Sequence, residues 1–389
     1  MAYYRQPEFY RSFHCMGGSC PNTCCANWRI DWTKEEIEKL KAADCSPEMR
    51  KLIDESFEPL PDNEKVMKIK FSGNNLKCPF LTDDKLCQIQ RELGEEYLSH
   101  TCKVYPRAHF LSDNIVTRTC SASCFQVMKT ICTEPDSMNL VSAPIESSTK
   151  FPSSIADSSE ALKKHPELKY RNSLFEFFYN IISNKKRSLE TSIVLGALAA
   201  QKLTEYINSG EHDRIPEVIK AISPQLNAQT VPSFEQVKPN YGLSLGLTGE
   251  LVNTFSGLNS LDSLKEDGKL SVEKYEQGRV IFSSFTEKNP YLLRNIALNF
   301  LIEGKQPFMD KERSLFENYC YFASTVAAVK VLGAAAAYQN KSVKGAFFLI
   351  VSFFVRGMYH SPITTSPKIY EILKKNDIST PAKIALIIK

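Results

Sequence analysis

The spacing of apolar residues divides this chain into two unlike parts. Leu174, Phe175, Phe178, Ile181 and Ile182 recur at three- and four-residue steps, and Ile193, Leu195 and Leu198 follow a similar rhythm, so both runs predict amphipathic helices. The pattern returns in Leu292, Leu293, Ile296 and Phe300, with Pro290 just ahead where a helix start is expected, and again in Val326, Val329 and Leu332. Tyr319 to Tyr338 is apolar and alanine-rich, is interrupted by Lys330, and predicts a buried core helix. The shorter run from Gly345 to Val355, between Lys344 and Arg356, has eleven residues, too few for a bilayer that needs about 20. Period-two alternation is scarce; Val66-Met-Lys-Ile-Lys-Phe71 is its clearest short example. Without an internal repeat or a strand–helix series, the pattern argues against a doubly wound nucleotide fold and a TIM-type barrel.

Cysteine sharpens the division. Eleven of the twelve cysteines lie at or before Cys132, and only Cys320 follows. Between the two parts, Thr133 to Ser159 is rich in Ser and Pro and reads as a linker or long loop. The expected organisation is a cysteine-rich metal-cluster domain over 1–140, a linker over 141–160 and a helical domain over 161–389. The fold class predicted is mainly α, with an irregular N-terminal part and a helical C-terminal part.

Composition changes this picture little. With 389 residues, 43% hydrophobic and 24% charged, the chain is an ordinary globular one. A net charge of +4 is too small to argue for nucleic acid. From Lys341 to Lys389, eight Lys/Arg face two acidic residues, a balance of +6 that leaves about −2 for the rest. Such a basic, apolar region suits a solvated helical face, with an acidic partner or a peripheral membrane contact as the alternative. The opening MAYYRQPEFYRSF has no apolar core of a signal peptide, so a cytoplasmic location is expected.

A reducing compartment disfavours disulfides, which leaves metal binding as the leading use of so many thiols. Cys20 with Cys24, and Cys120 with Cys124, have the close spacing of metal-ligand pairs, whereas Cys78, Cys87 and Cys102 are spread. Adjacent Cys24 and Cys25 point in different directions in most backbones, which suits two neighbouring centres, or one ligand beside a structural thiol. Spacing alone does not separate zinc from iron–sulfur.

The run FHCMGGSCPNTCCANW, followed by CPFLTDDKLCQIQRELGEEYLSHTCKVYPR, resembles the flagellin lysine-N-methylase family. The likeness is dense over residues 5 to 126 and continues more weakly in NPYLLRNIALNFL and around SFFVRGMYH. The resemblance implies methyl transfer from S-adenosylmethionine to lysine side chains of flagellin, dependent on one [4Fe-4S] cluster or two. Its cysteine pattern falls on Cys15, Cys20, Cys24, Cys25, Cys78, Cys87, Cys102 and Cys124. Where the family reads Ser-Cys-Pro-Glu, this chain has Ser123-Cys124-Phe125-Gln126, so the family's acidic residue has no counterpart there. Cys45, Cys120 and Cys132 stand outside the pattern; Cys45 and Cys132 read as small buried apolar residues.

Methylating lysine requires a neutral amine, and a side chain with a pKa of about 10.4 is neutral less than about one part in a thousand at pH 7. The site must desolvate the lysine or supply a proton acceptor. Tyr105, Arg107 and Glu96 are the expected catalytic residues, with Tyr97 and Glu95 as further acceptors nearby. Arg107 could also fork onto the carboxylate of S-adenosylmethionine, and Gly17-Gly18 could let the backbone approach a cofactor. His100 and His109 read as satisfied polar residues, either of which could replace a thiolate. Gly242, Gly246 and Gly249 read as a helix-entry or loop feature. A polar methyl transfer needs no redox centre, and the C-x3-C-x2-C spacing of radical enzymes is absent. A radical site would therefore be built unconventionally. The helical part is expected to form the pocket wall, the substrate dock or a homo-oligomer interface. The rival readings are a zinc- or iron-binding structural module and an interaction protein that holds flagellar subunits or a membrane.

Overall fold

A computed structural model describes residues 3–26, 30–60, 63–70, 77–144, 154–227, 232–255, 259–340, 343–360 and 365–389. The chain opens with β1 (Tyr3–Pro7), β2 (Asp31–Thr33), α1 (Lys34–Lys41) and α2 (Pro47–Glu55). Next come β3 (Phe57–Leu60), β4 (Asn63–Ile69), α3 (Gln88–Glu92) and α4 (His100–Val104). The N-terminal part finishes with β5 (Arg107–Ser112), β6 (Ile115–Cys120), α5 (Phe125–Thr133) and β7 (Leu140–Pro144). Beyond β8 (Ser154–Ile155) come α6 (Ser159–Lys164), α7 (Arg171–Ser183), α8 (Leu189–Asn208), α9 (Ile215–Ile222), α10 (Pro232–Glu235) and α11 (Tyr241–Phe255). The chain continues through α12 (Val272–Lys288), α13 (Leu292–Glu303), α14 (Leu315–Asn340), α15 (Ala346–His360), α16 (Thr365–Lys375) and α17 (Pro381–Ile388). The protein is mainly α, and each apolar run singled out from spacing lies in a helix.

The N-terminal part is less irregular than its sequence suggests. Five strands form one sheet in the order β7-β1-β6-β5-β8, and β2-β4-β3 form a second, antiparallel one. In the larger sheet β1 runs parallel to β6, and β5 pairs antiparallel with β6 so that Arg107 faces Cys120. Alternation fails to announce these strands because β1 and β6 are buried at most positions instead of every second one. Of the expected linker, residues 145–153 lie outside the described residues, as does Phe71 beyond β4.

Two apolar cores result, and they do not follow the step in cysteine content. Ile30, Trp32, Leu40, Met49, Ile53 and Phe80 anchor a small one, with Cys25, Cys45, Cys87 and Cys102 packed at its edge. Its helices begin at strong caps: Thr33 and Glu36 form a reciprocal capping box on α1, and Ser46 caps α2 ahead of Pro47. The large core joins α5 and Phe9 of the N-terminal part to the helical remainder. At its centre, α14 is buried nearly all round, which is why it carries no polar face. Among the described residues α14 is the one helix long and apolar enough to cross a membrane, and 94% of its most apolar window is buried inside the fold. Lys330 within it pairs with Glu190 at 2.8 Å. Gly242 lies at the entry of α11, as expected, whereas Gly246 and Gly249 lie within that helix.

Candidate functional site

The cysteines meet where the N-terminal loops fold onto one another and onto α15. Gly17 sits at φ +58°, a conformation that favours glycine, and turns the chain so that Cys20 N–H reaches its carbonyl at 3.1 Å. Gly18 lies so close to the next loop that a Cβ there would stand 2.5 Å from the Asp84 carbonyl oxygen. These glycines thus press the Cys15–Cys20 turn against the loop that leads to Cys87. That loop is closed by the Leu81–Cys87 bridge and joined to the first one by Cys78 N–H donating to the Cys25 carbonyl at 2.8 Å. Cys102 comes in on α4, whose cap Ser99 accepts its N–H at 3.1 Å, and Cys124 stands at the N-terminus of α5.

None of the twelve cysteines is in a disulfide. Cys25 feels Cys24, Cys78 and Cys87; Cys102 feels Cys87 and Cys24; Cys124 feels Cys20 and Cys24. Cys24 is therefore the hub between a group reaching Cys78, Cys87 and Cys102 and another reaching Cys20 and Cys124, with Cys15 beside Cys20. Burial pushes the Cys78, Cys102 and Cys124 thiols up to about 12, and their neighbours add to the rise. Cys24 moves down to about 7, through a hydrogen bond with Cys25 and, against burial, the Arg356 guanidinium. The same hydrogen bond, then burial, raises Cys25. Among the described residues no three Cys, His, Asp or Glu side chains are gathered into a ready-made metal cage. The donor set nevertheless fits a thiolate-bound group in kind: soft ligands, unbridged, close enough to oppose each other's ionisation, beside a cation. Cys120 and Cys132 are fully buried in the large core, and Cys45 packs on the small one.

Arg356 holds this assembly to the helical part. It is 2% exposed, and its Nη1 donates to the carbonyls of Thr23 at 2.9 Å and Ala26 at 3.2 Å. Nη2 reaches the carbonyls of Asn22 at 3.4 Å and Ser123 at 3.3 Å. One turn earlier on α15, Ser352 accepts from the Asn22 amide at 3.0 Å. One turn later, His360 Nε2 lies 2.9 Å from Ser123 Oγ, which is 3.0 Å from the Tyr105 hydroxyl. Asn299 on α13 donates to the Cys120 carbonyl at 3.0 Å, and Glu303 accepts from Ala122 N–H at 3.2 Å.

A profile of the FliB lysine N-methylase C-terminal domain matches residues 175–387, more than half of the chain. The chain belongs to the FliB lysine N-methylase family. It is 23% identical over 387 residues to a protein of Salmonella typhimurium called lysine-N-methylase, covering 92% of each chain. The likeness to a lysine-N-methylase of Salmonella choleraesuis has the same identity and extent. Over 136 residues it is 34% identical to the flagellar biosynthetic protein FliU of Salmonella muenchen, covering 35% of this chain and 80% of that one. No solved structure matches.

Within this FliB-family chain, Tyr105 sits beside Ser123 and His360. Arg107 lies with its guanidinium 5.1 Å from the centre of the Phe13 ring, on the strand paired with Cys120. Glu96 is elsewhere, exposed on the turn before α4, where its carbonyl accepts from Lys39 at 2.8 Å and Lys103 at 2.9 Å. Tyr97 lies under the Lys39 ammonium, and His109 bonds the Tyr10 hydroxyl. The sequence reading missed Asn22, Ser121, Ser123, Glu303, Arg356 and His360. A signal existed for part of this set: Ser352, Arg356 and His360 recur every four residues in an otherwise apolar helix, one polar stripe that must face something.

Two groups here tie stability to pH in opposite senses. Burial raises the Glu303 carboxyl from 4.5 to about 7, and burial followed by Arg356 lowers His360 from 6.5 to about 4. Between about pH 4.5 and 7 the folded chain keeps a Glu303 proton that the unfolded chain has lost, so stability falls as pH rises. Between about pH 4 and 6.5 the unfolded chain binds a His360 proton that the folded chain lacks, so stability rises with pH. Glu303→Gln should remove the first slope and expose the second, giving a protein that weakens steadily as it is acidified below pH 6.5. Urea midpoints measured across this range check it; slopes unchanged from the natural protein would refute the assignment.

Proposed function

We propose that this protein transfers methyl groups from S-adenosylmethionine to lysine side chains of flagellin, with a [4Fe-4S] cluster held by its N-terminal cysteines. What carries the reading is the match to proteins called lysine-N-methylase over 92% of both chains. The name of the flagellar relative supports the choice of flagellin. The residues that would hold the cluster are Cys24, Cys25, Cys78, Cys87 and Cys102, with Cys15, Cys20 and Cys124 on the other side of Cys24 available for a second. When bound, such a group supplies iron that can accept electrons or polarise a ligand.

The chain's own residues have separable tasks. Arg356 fixes the cysteine loop and lowers the cost of negative charge on Cys24. Gly17 and Gly18 set the turn that carries Cys15 and Cys20 onto the Cys87 loop. Tyr105, hydrogen-bonded to Ser123, is assigned to the lysine amine. Arg107, beside Phe13, is assigned to the cofactor's carboxylate.

Anaerobic purification with iron, sulfide and zinc counted, followed by methyl transfer from labelled S-adenosylmethionine to flagellin, tests the reading. The expected result is about four irons and four sulfides per chain, or about eight of each for two clusters, with label on flagellin lysines. Stoichiometric zinc without sulfide, and no transfer, would replace it with the structural-module reading.

A further inference from the structure

A chain of hydroxyls runs through the protein behind the cysteines. The Tyr105 hydroxyl is 3.0 Å from Ser123 Oγ, and Ser123 Oγ is 2.7 Å from Ser121 Oγ. Ser121 in turn hydrogen-bonds the Glu303 carboxylate, which also accepts Ala122 N–H at 3.2 Å. Both serines are inaccessible, at 3% and 0%, whereas Tyr105 and Glu303 at the two ends are only half-buried. His360 Nε2 lies 2.9 Å from Ser123 Oγ and 3.4 Å from Ser121 Oγ, flanking the middle of the run. Each hydroxyl can donate and accept at once, so a proton entering at one end can be matched by one leaving at the other. Four separate segments supply the parts: the end of α4, the turn after β6, the end of α13 and the end of α15. The purely structural alternative is a satisfied polar cluster, but a cluster whose accepting end is a carboxylate and whose far end is a half-buried tyrosine has a direction.

We propose that Tyr105, Ser123, Ser121 and Glu303 form a proton relay that removes the proton from the substrate lysine and stores it on Glu303. The inference rests on the lysine-methylation reading and deepens it. In the step, the ammonium N–H bond breaks as the proton passes to the Tyr105 oxygen. The Tyr105 proton moves to Ser123, that of Ser123 to Ser121, and that of Ser121 to the Glu303 carboxylate. The lysine becomes a neutral amine with its lone pair free, Glu303 becomes a carboxylic acid, and no electron changes hands. Half-buried Glu303 then returns the proton to water.

The surroundings of Glu303 suit this task. Facing it are Cys120 from β6, Tyr321 from α14 and Tyr359 from α15, with Ser121 bonding it, and burial lifts its carboxyl to about 7, near the working pH. His360 is kept neutral by burial and Arg356, so it orients Ser123 without capturing the proton.

The test is the pH profile of methyl transfer to flagellin by the full-length, cluster-loaded protein. The natural protein should gain rate through a midpoint near 7. Glu303→Gln and Ser123→Ala should each lose that midpoint and fall about 100-fold at neutral pH with KM unchanged, the lower range of general-base effects. A flagellin peptide carrying a less basic lysine analogue should recover much of the loss. Infrared difference spectroscopy reads the carboxyl directly: the natural protein should show a carboxylic-acid band that titrates near 7 and that Ser121→Ala shifts. Active variants with an unaltered profile, or a Glu303 band titrating as an ordinary glutamate, overturn the relay and leave the methylase reading standing. Absence of transfer by the natural protein at every pH overturns both.

Discussion

Arg356→Ala should weaken the folded protein by about 2–4 kcal/mol, because it leaves buried carbonyls without their charge-assisted hydrogen bonds. The reason is a count of what is left behind. The guanidinium satisfies the carbonyls of Asn22, Thr23, Ala26 and Ser123, and alanine can replace none of these bonds. The loop that carries Cys20, Cys24 and Cys25 would lose its only arginine clamp among the described residues, together with the cation that favours the Cys24 thiolate. Against a typical total of about 5–15 kcal/mol, that is a large part of the stability. Arg356→Lys keeps the charge but cannot fork onto four carbonyls, so it should recover only a minor share. Denaturant midpoints measure the first effect. Reaction of native-state thiols with a disulfide reagent measures the second, because released Cys20 and Cys24 should react faster. An unchanged midpoint in the alanine variant would mean that the clamp is incidental.

Cys24→Ala should have the largest effect on function: iron and sulfide falling to less than half of the natural content, and methyl transfer falling to background. Cys24 is the thiol that senses both groups of neighbours, so its loss removes a ligand whichever group holds the cluster. Cys132→Ala is the matched control. Cys132 is 3% exposed in the large core and 3.6 Å from Met128 Sδ, so its loss should leave metal content intact and cost little beyond one small buried side chain. Equal iron and sulfide in the two variants would remove Cys24 from the ligand set.

These two cysteines also show where sequence and structure divide the work. Periodicity alone located α7, α8, α13 and α14, because a helix buried on one face or all round must repeat its apolar residues every three or four positions. The same reasoning failed for β1 and β6, whose burial at most positions removes the alternation that marks a strand. The Phe13–Trp28 and Cys78–Arg107 segments made the family resemblance legible, since a motif is local and survives in order along the chain.

The long-range partners were not legible. Arg356 meets the Asn22 and Thr23 carbonyls across more than three hundred residues, and Glu303 meets Ala122 across nearly two hundred. Main-chain carbonyls leave no mark in a sequence, so an arginine that binds them reads as one more charge in a basic region. Glu96 illustrates the converse: it lies close to Cys102 in the chain, yet the turn before α4 carries it outward to Lys39 and Lys103. Sequence by itself determined the helical class, the cysteine inventory and the family, all of which rest on composition and local order. Only the tertiary structure decided which residues share the site, because burial and hydrogen bonding between distant segments depend on how helices pack and not on where residues fall along the chain.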